Sequence, residues 1–248
     1  MKEKRPFFYT VKFAIIVIIA TALILLLSLS FSSINNSQNS STSLPVFNKS
    51  DKVRFVIDPG HGGEDAGAIA SDGTLEKDLN LEISSLLFSI MELNGKEVVL
   101  TRDSDTLLYD KYGDLEDYTG KKKIYDLKNR LKIAAEKENS IYVGIHMNKF
   151  PDSKYSGLQV YFSPNKESSY EIATDIKNTV FENLQPENKR QVKRADSSIY
   201  VLHNANIPAV LVECGFLSNE RELEMLKTDD YRRTLAVSLF SALIKYDG

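Results

Sequence analysis

The chain has 248 residues, 42% of them hydrophobic and 26% charged, enough to bury one sizeable core in a single compact domain. A formal net charge of −3, with both signs interspersed, provides no basic field of the kind a nucleic acid requires, so no nucleic-acid partner is expected. Cys214 is the only cysteine, which excludes an internal disulfide framework and a cysteine-rich zinc site; any metal must be held by histidine and carboxylate. Residues 1–12 carry Lys2, Lys4, Arg5 and Lys12 and read as a basic cytoplasmic segment. From Phe13 to Phe31 an uncharged apolar run just meets the length of about 20 residues that a bilayer-crossing helix needs. Positive charge on its N-terminal side places everything downstream outside the cytoplasm. The length favours a retained transmembrane anchor over a cleaved signal segment, whose apolar region is shorter. Residues 32–51 are rich in Ser and Asn and read as a flexible linker, so the folded domain is expected over residues 52–248.

Within that domain strands and helices alternate. A short buried strand is expected at Phe55–Ile57. A helix over Leu75–Leu93 follows, with Leu79, Ile83, Leu86 or Leu87, and Ile90 on one face and a stop at Asn94-Gly95. Val98–Thr101 reads as a strand, and Leu127, Leu131 and Ala134 or Ala135 mark a second helix. "IYVGIH" and Leu158–Phe162 read as strands, and a helix from about Ser168 to Leu184 carries Ile172, Ile176 and Val180. A short apolar "IYVL", the strongly apolar "AVLVECGFL" and a last helix with Leu235, Leu239 and Leu243 complete the order. The alternation predicts an α/β fold: a single domain whose mostly parallel or mixed central sheet is flanked by helices.

The stretch "FVIDPGHGGEDAG" runs from a strand into a turn holding four glycines, two acids and His61. It is not a phosphate loop, because it lacks the terminal Gly-Lys-Ser/Thr of a Walker motif and places Asp65 where the dinucleotide pattern needs its third glycine. None of the three histidines is followed by the glutamate of a metalloprotease helix, and no G-x-S-x-G elbow is present. His61 and His146 both follow apolar strands, the position at which open α/β sheets bind ligands. Spacing alone leaves open both a dispersed His/carboxylate metal site and ordinary hydrogen-bonded loop histidines.

Four segments, "VIDPGHGGEDAGAIASDGTLEKDLNLEIS", "VVLTRDSD", "IYVGIHMN" and "IPAVLVECGFLSNERE", together and in this order resemble the zinc-dependent N-acetylmuramoyl-L-alanine amidase family, from about Val53 to the C-terminus. The "VECGFLSN" wording and the short build look most like the germination-specific, spore-cortex amidases of spore-forming bacteria. The resemblance implies that His61, Glu76 and His146 are ligands of Zn2+ and that Glu213 is the catalytic glutamate. It implies a peptidoglycan substrate, cleavage between N-acetylmuramic acid and L-alanine, and a role in cortex maturation before germination. It also implies an extracytoplasmic location, in the forespore or intermembrane space of a sporulating cell, with the membrane reached through the N-terminal segment and an accessory or activator protein as a partner. An inactive wall-binding activator on the same scaffold and a zinc carboxypeptidase acting within the stem peptide are the alternatives.

Beside that resemblance, Glu213 interrupts an apolar run, where an unpaired carboxylate costs several kcal/mol, so it must meet a cation or be protonated. A structural ion pair with Lys or Arg is the plain alternative. Glu76 at a helix start is also an ordinary dipole-favouring acid. Asn148 resembles a family position that orients the site. Arg102 is read either as a binder of a substrate carboxylate or as a tie to Asp103 or Asp105. Asp58 and Glu64 are candidate acceptors for an imidazole N–H. Lys149 and Phe150 stand where many members of the resembled family have small residues. The segment from Asp110 to Lys123, with two tyrosines and a lysine triplet, is long enough to act as a lid or contact surface.

Overall fold

The computed structural model describes residues 52–247. The cytoplasmic, membrane-spanning and linker expectations for residues 1–51 lie outside the described residues. Among the described residues no helix is long and apolar enough to cross a membrane.

In chain order the elements are β1 (Arg54–Pro59), α1 (Glu76–Leu93), β2 (Glu97–Leu100), α2 (Lys122–Ala135), β3 (Ser140–Asn148), β4 (Gln159–Phe162), α3 (Ser168–Asn183), β5 (Lys193–Arg194), α4 (Tyr200–Asn204), β6 (Ala209–Phe216), α5 (Glu220–Leu226) and α6 (Asp229–Leu243), closed by a 3-10 turn at Ile244–Tyr246. The strands form one sheet in the order β2-β1-β3-β6-β4-β5. β1 pairs in parallel with β2 and β3, and β3 with β6, whereas β4 joins β6 antiparallel and carries β5 parallel to itself. The sheet is therefore mixed, with helices on both faces.

Strand alternation divides the central residues between two cores. Phe55, Ile57, Val143, Ile145, Val210 and Val212 pack with Ile83 and Leu87 of α1, Ile176 of α3 and Leu239 of α6. On the opposite face Val56, Tyr142 and Leu211 pack with Ile133 and Ala134 of α2 and Leu202 of α4. Both faces being covered explains why β1, β3 and β6 read as continuous apolar runs. Cys214 faces the first core and is fully buried, as its place next to Glu213 on a strand requires.

α1 begins with Glu76 and Asp78, acids that suit the positive end of a helix. It ends where Gly95, in the left-handed region at φ 69°, donates from its N–H to Glu92 O while Lys96 N bonds to Met91 O. Three elements go beyond the sequence expectations. The short apolar "IYVL", for which the sequence left the element type open, enters the helix α4 at Tyr200. β5 is a two-residue edge strand with both residues exposed, too short to leave a hydropathy pattern. α5 is capped by Asn219, whose side chain accepts from Glu222 N. The expected loop from Asp110 ends early, since Lys122 and Lys123 already belong to α2.

Candidate active site

The turn after β1 is built so that His61 can meet side chains from distant parts of the chain. His61 has φ 63° and is the only non-glycine residue with positive φ among the described residues, a conformation that is sterically costly for an L side chain. Neighbouring glycines supply the space. A Cβ on Gly60 would lie 2.2 Å from the His146 ring, and one on Gly67 would lie 2.6 Å from Glu76 Oε2 and 2.7 Å from His61 Cδ2.

Two buried arginines hold this turn by its carbonyl oxygens. Arg130 of α2 donates to Pro59 O at 2.8 Å and His61 O at 2.7 Å, and pairs with Asp58 and Asp126, both at 2.7 Å. Arg102 donates to Pro59 O (2.9 Å), Gly60 O (3.1 Å) and Lys77 O (2.8 Å). Arg102 is buried, and its guanidinium also reaches Ser104 O. With four of its five N–H groups committed to backbone carbonyls, it does not present a free fork to a substrate carboxylate. Nor does it tie to Asp103 or Asp105. Asp58 accepts from Thr101, Tyr142 and Arg130 and touches no imidazole. Burial works against its ionisation, but the Arg130 charge and those hydrogen bonds hold the carboxyl below its ordinary range. Glu64 pairs with Lys122 instead. The acceptor for the His61 ring is Asp65, whose Oδ2 lies 3.0 Å from Nδ1.

His61, Glu76 and His146 converge. His61 Nε2 lies 3.2 Å and His146 Nδ1 3.0 Å from Glu76 Oε1, and one nitrogen or oxygen from each residue falls within 4.8 Å of the others. Glu76 is fixed from behind by Ala68 N at 2.7 Å on Oε2 and by Met147 N at 3.1 Å on Oε1. Burial disfavours charge on both His61 and Glu76, yet the bonds to Asp65 and Glu76 raise His61 to about 9, and those from His146 and His61 hold the Glu76 carboxyl far below the ordinary range. Two imidazoles and one carboxylate at this spacing are the donor set of a catalytic zinc, with Asp65 orienting one ring through its second nitrogen. Ligand imidazoles are neutral, so an ion there would replace the shared protons. The residues fit the group.

Glu213 lies beside His146, its pair across β3 and β6. Its Oε2 is buried without a hydrogen-bond partner, and no Lys or Arg pairs with it among the described residues. The ion-pair alternative is thereby removed. Burial raises the carboxyl to about 7, with Glu76 pushing the same way and His146 and His61 opposing. On the other side β4 presents Gln159, paired with Glu213 and 2% exposed, whose Oε1 is likewise unpartnered. His61, His146 and Glu213 open onto a cavity of about 260 Å³ whose opposite wall includes Lys123, Leu127 and Tyr200. Asn148 sits two residues beyond His146, outside that wall; its carbonyl accepts from Leu217 N. His203 is exposed, away from the cluster. In the Asp110–Lys123 region Tyr109, Tyr118 and Tyr125 stack edge to face, so part of this segment is internally packed.

Asp65, Arg130 and Gln159 are the residues that sequence reasoning passed over. Asp126 and Arg130, four apart on a helix, are a recognisable charge pair. Nothing local to Gln159 marks it, because its importance comes from a partner 54 positions away on β6.

The family described as N-acetylmuramoyl-L-alanine amidase (Amidase_3) matches residues 55–245. The germination-specific N-acetylmuramoyl-L-alanine amidase of Bacillus subtilis (strain 168) is 33% identical over 224 residues, 90% of each chain. Among solved structures, the CwlD amidase from Clostridioides difficile in complex with the GerS lipoprotein superposes with a TM-score of 0.72 at 38% identity, covering 79% of this chain and 98% of that one. The amidase AmiC2 of Nostoc punctiforme gives 0.66 at 31% identity, with coverage of 79% and 98%.

Proposed function

The chain belongs to the N-acetylmuramoyl-L-alanine amidase family, and from that premise we propose that it cuts the amide between N-acetylmuramic acid and L-alanine with a zinc ion held by His61, Glu76 and His146. The observation that carries the proposal is the half-buried Glu213, whose Oε2 is buried without a partner, at the edge of a three-donor cluster on a cavity wall. When bound, zinc supplies Lewis acidity, polarising the amide carbonyl and bringing water close to ionisation at neutral pH.

The chain's own residues carry the remaining steps. Glu213, placed near neutrality by burial, takes the proton of the attacking water and later delivers it to the leaving nitrogen. Asp65 holds the His61 ring in one orientation, and Arg130 and Arg102 fix the turn that presents it.

The setting we propose is extracytoplasmic, with the apolar run at residues 13–31 as the membrane attachment and spore cortex as the substrate. Stripping peptide from muramic acid there prepares conversion to muramic lactam for germination. Support comes from the germination-specific relative. An accessory lipoprotein is the proposed class of partner, on the strength of the relative found with one. The test is mass spectrometry of peptidoglycan fragments after incubation with the zinc-supplemented chain. Intact stem peptide beginning at L-alanine is expected. Release of single C-terminal residues would identify a carboxypeptidase, and no release by metal-loaded protein an inactive wall-binding homologue.

A further inference from the structure

Beyond the cavity, the strands that carry His146 and Glu213 continue into a second feature. After Glu213 the pairing of β3 with β6 slips by one residue, so that His146 faces Glu213 but Asn148 faces Phe216. An extra residue in one strand reverses which side later residues occupy, and here it returns Phe216 to the face on which Glu213 stands. Three residues of strand put Phe216 about 10 Å beyond Glu213. Phe216 is 3% exposed and belongs to neither core. Tyr155 stacks over it at 28° with centroids 6.5 Å apart, and Phe150 meets Tyr155 edge-on at 4.8 Å. Arg190 lies 4.7 Å from the Phe216 centroid and 5.7 Å from that of Tyr155. Its Nε is spent on Ser156 O, while neither terminal nitrogen bonds to another described residue. Phe150 and Tyr155 are 48% and 38% exposed. The groove beside Tyr155, about 740 Å³, has Lys154, Lys189, Arg190 and Arg221 against Glu187 and Glu222 among its lining residues.

We propose that Phe150, Tyr155 and Arg190 form a subsite for the glycan strand of polymeric peptidoglycan next to the reacting muramic acid; this rests on the amidase reading above. The exposed parts of these rings, with their partly negative faces, pack against the C–H faces of pyranose rings, while the free guanidinium fork and the excess of cations over acids in the groove suit the carboxylates that muramyl peptides bear. A neighbouring sugar-peptide unit offers both chemistries at once, and the platform is continuous with the strands that hold the reacting groups.

The test uses the full chain in two assays. In the first, Glu213→Gln protein is pelleted with purified, protein-free sacculi, a readout that needs no turnover. Adding Phe150→Ser and Tyr155→Ser is expected to weaken sacculus binding about tenfold. In the second, the same pair in the active chain is expected to lower about tenfold the ratio of kcat/KM on sacculi to that on a soluble muramyl peptide. Unchanged pelleting, which would leave the face to a protein partner, overturns the subsite. A proportional loss on both substrates, the mark of a purely structural role, also overturns it. Failure of the zinc-loaded parent chain to cut the soluble muramyl peptide would overturn the amidase reading instead, and the pelleting result would still stand or fall by itself.

Discussion

Arg130 donates to the carbonyl of His61 across 69 residues of chain at 2.7 Å, and the same guanidinium neutralises Asp58 beneath the turn. One buried side chain thus links the turn that carries a metal-ligand candidate to a buried carboxylate of β1. Removing it leaves Asp58 and Asp126 uncompensated and releases the left-handed His61 backbone. Arg130→Met is expected to cost about 3–5 kcal/mol in urea denaturation, the usual penalty for breaking a buried ion pair. Asp58→Asn in the Arg130→Met background should recover part of that loss, since one of the two stranded charges is gone and Asp126 keeps the other. A loss below about 1 kcal/mol for the single change would show that the clamp does not secure the turn.

Asp65 is the residue whose role separates metal orientation from folding. It is partly exposed, and its bond to His61 Nδ1 leaves Nε2 facing Glu76. Asp65→Asn weakens the acceptor that fixes this ring, so zinc affinity should drop about 10- to 100-fold with the melting transition little changed. Competition with a fluorescent chelator measures it. His61→Ala should go further and reduce zinc per chain in metal analysis, and a stoichiometry equal to that of the parent would remove His61 from the ligand set.

The sheet, and the fact that His61, Glu76 and His146 converge beside Glu213, were legible because these residues sit on apolar strands or in motifs whose resemblance to a known family is specific. Glu76 owed its assignment to its motif alone, since any helix start welcomes an acid. Arg102 shows the converse: an arginine in "LTRD" looks available, and only the fold reveals that the backbone carbonyls of Pro59, Gly60, Lys77 and Ser104 engage four of its five N–H groups. Asp58 was expected to accept from an imidazole, but it ends up beneath the turn in β1, and with His61 at positive φ it is Asp65, seven residues on, that lies against the ring. The short elements failed for another reason. β5 and α4 hold two and five residues, less than one period of evidence for either pattern. α5 did carry a sign, Asn219 followed three residues later by Glu222, the start of a capping box.

Glu213 should make the stability of the metal-free chain depend on pH. Its carboxyl rises from an ordinary 4.5 to about 7 on folding, because burial opposes its charge. The folded state therefore binds the proton more tightly than the unfolded state, and the contribution is complete below pH 4.5 and lost as pH rises through 7. At about 1.4 kcal/mol per pH unit the difference is about 3 kcal/mol. In EDTA, Glu213→Gln should gain about that much relative to the parent between pH 4.5 and 8 by urea denaturation. Parallel curves for the two proteins would show that Glu213 is not held in the low-dielectric setting described. With zinc restored, the same variant should retain its metal and lose about 10²- to 10⁴-fold in kcat, the range for loss of a general base.

Gln159 offers a way to tune that carboxyl without touching it. It stands opposite Glu213 on β4, in a pairing that places the two Cβ atoms about 4.5–5.5 Å apart on one face. Its Nε2 is occupied by Val160 O and Gln191 O, while its Oε1 and Glu213 Oε2 are both buried without partners. A substitution here changes the field at Glu213 and nothing that reaches the metal ligands by hydrogen bond. Gln159→Glu places a second acid of the same length at that spot, and like charges so close cannot both ionise freely. The acidic limb of the kcat/KM profile, which reports the base in the free enzyme, should move upward by about one pH unit or more. Gln159→Met, matched in length but uncharged, should leave the limb within a few tenths of its parent position. An acidic limb identical in the glutamate variant and the parent would mean either that Glu213 is not the titrating base or that the two strands do not share the field. The Glu213→Gln rate decides between those two.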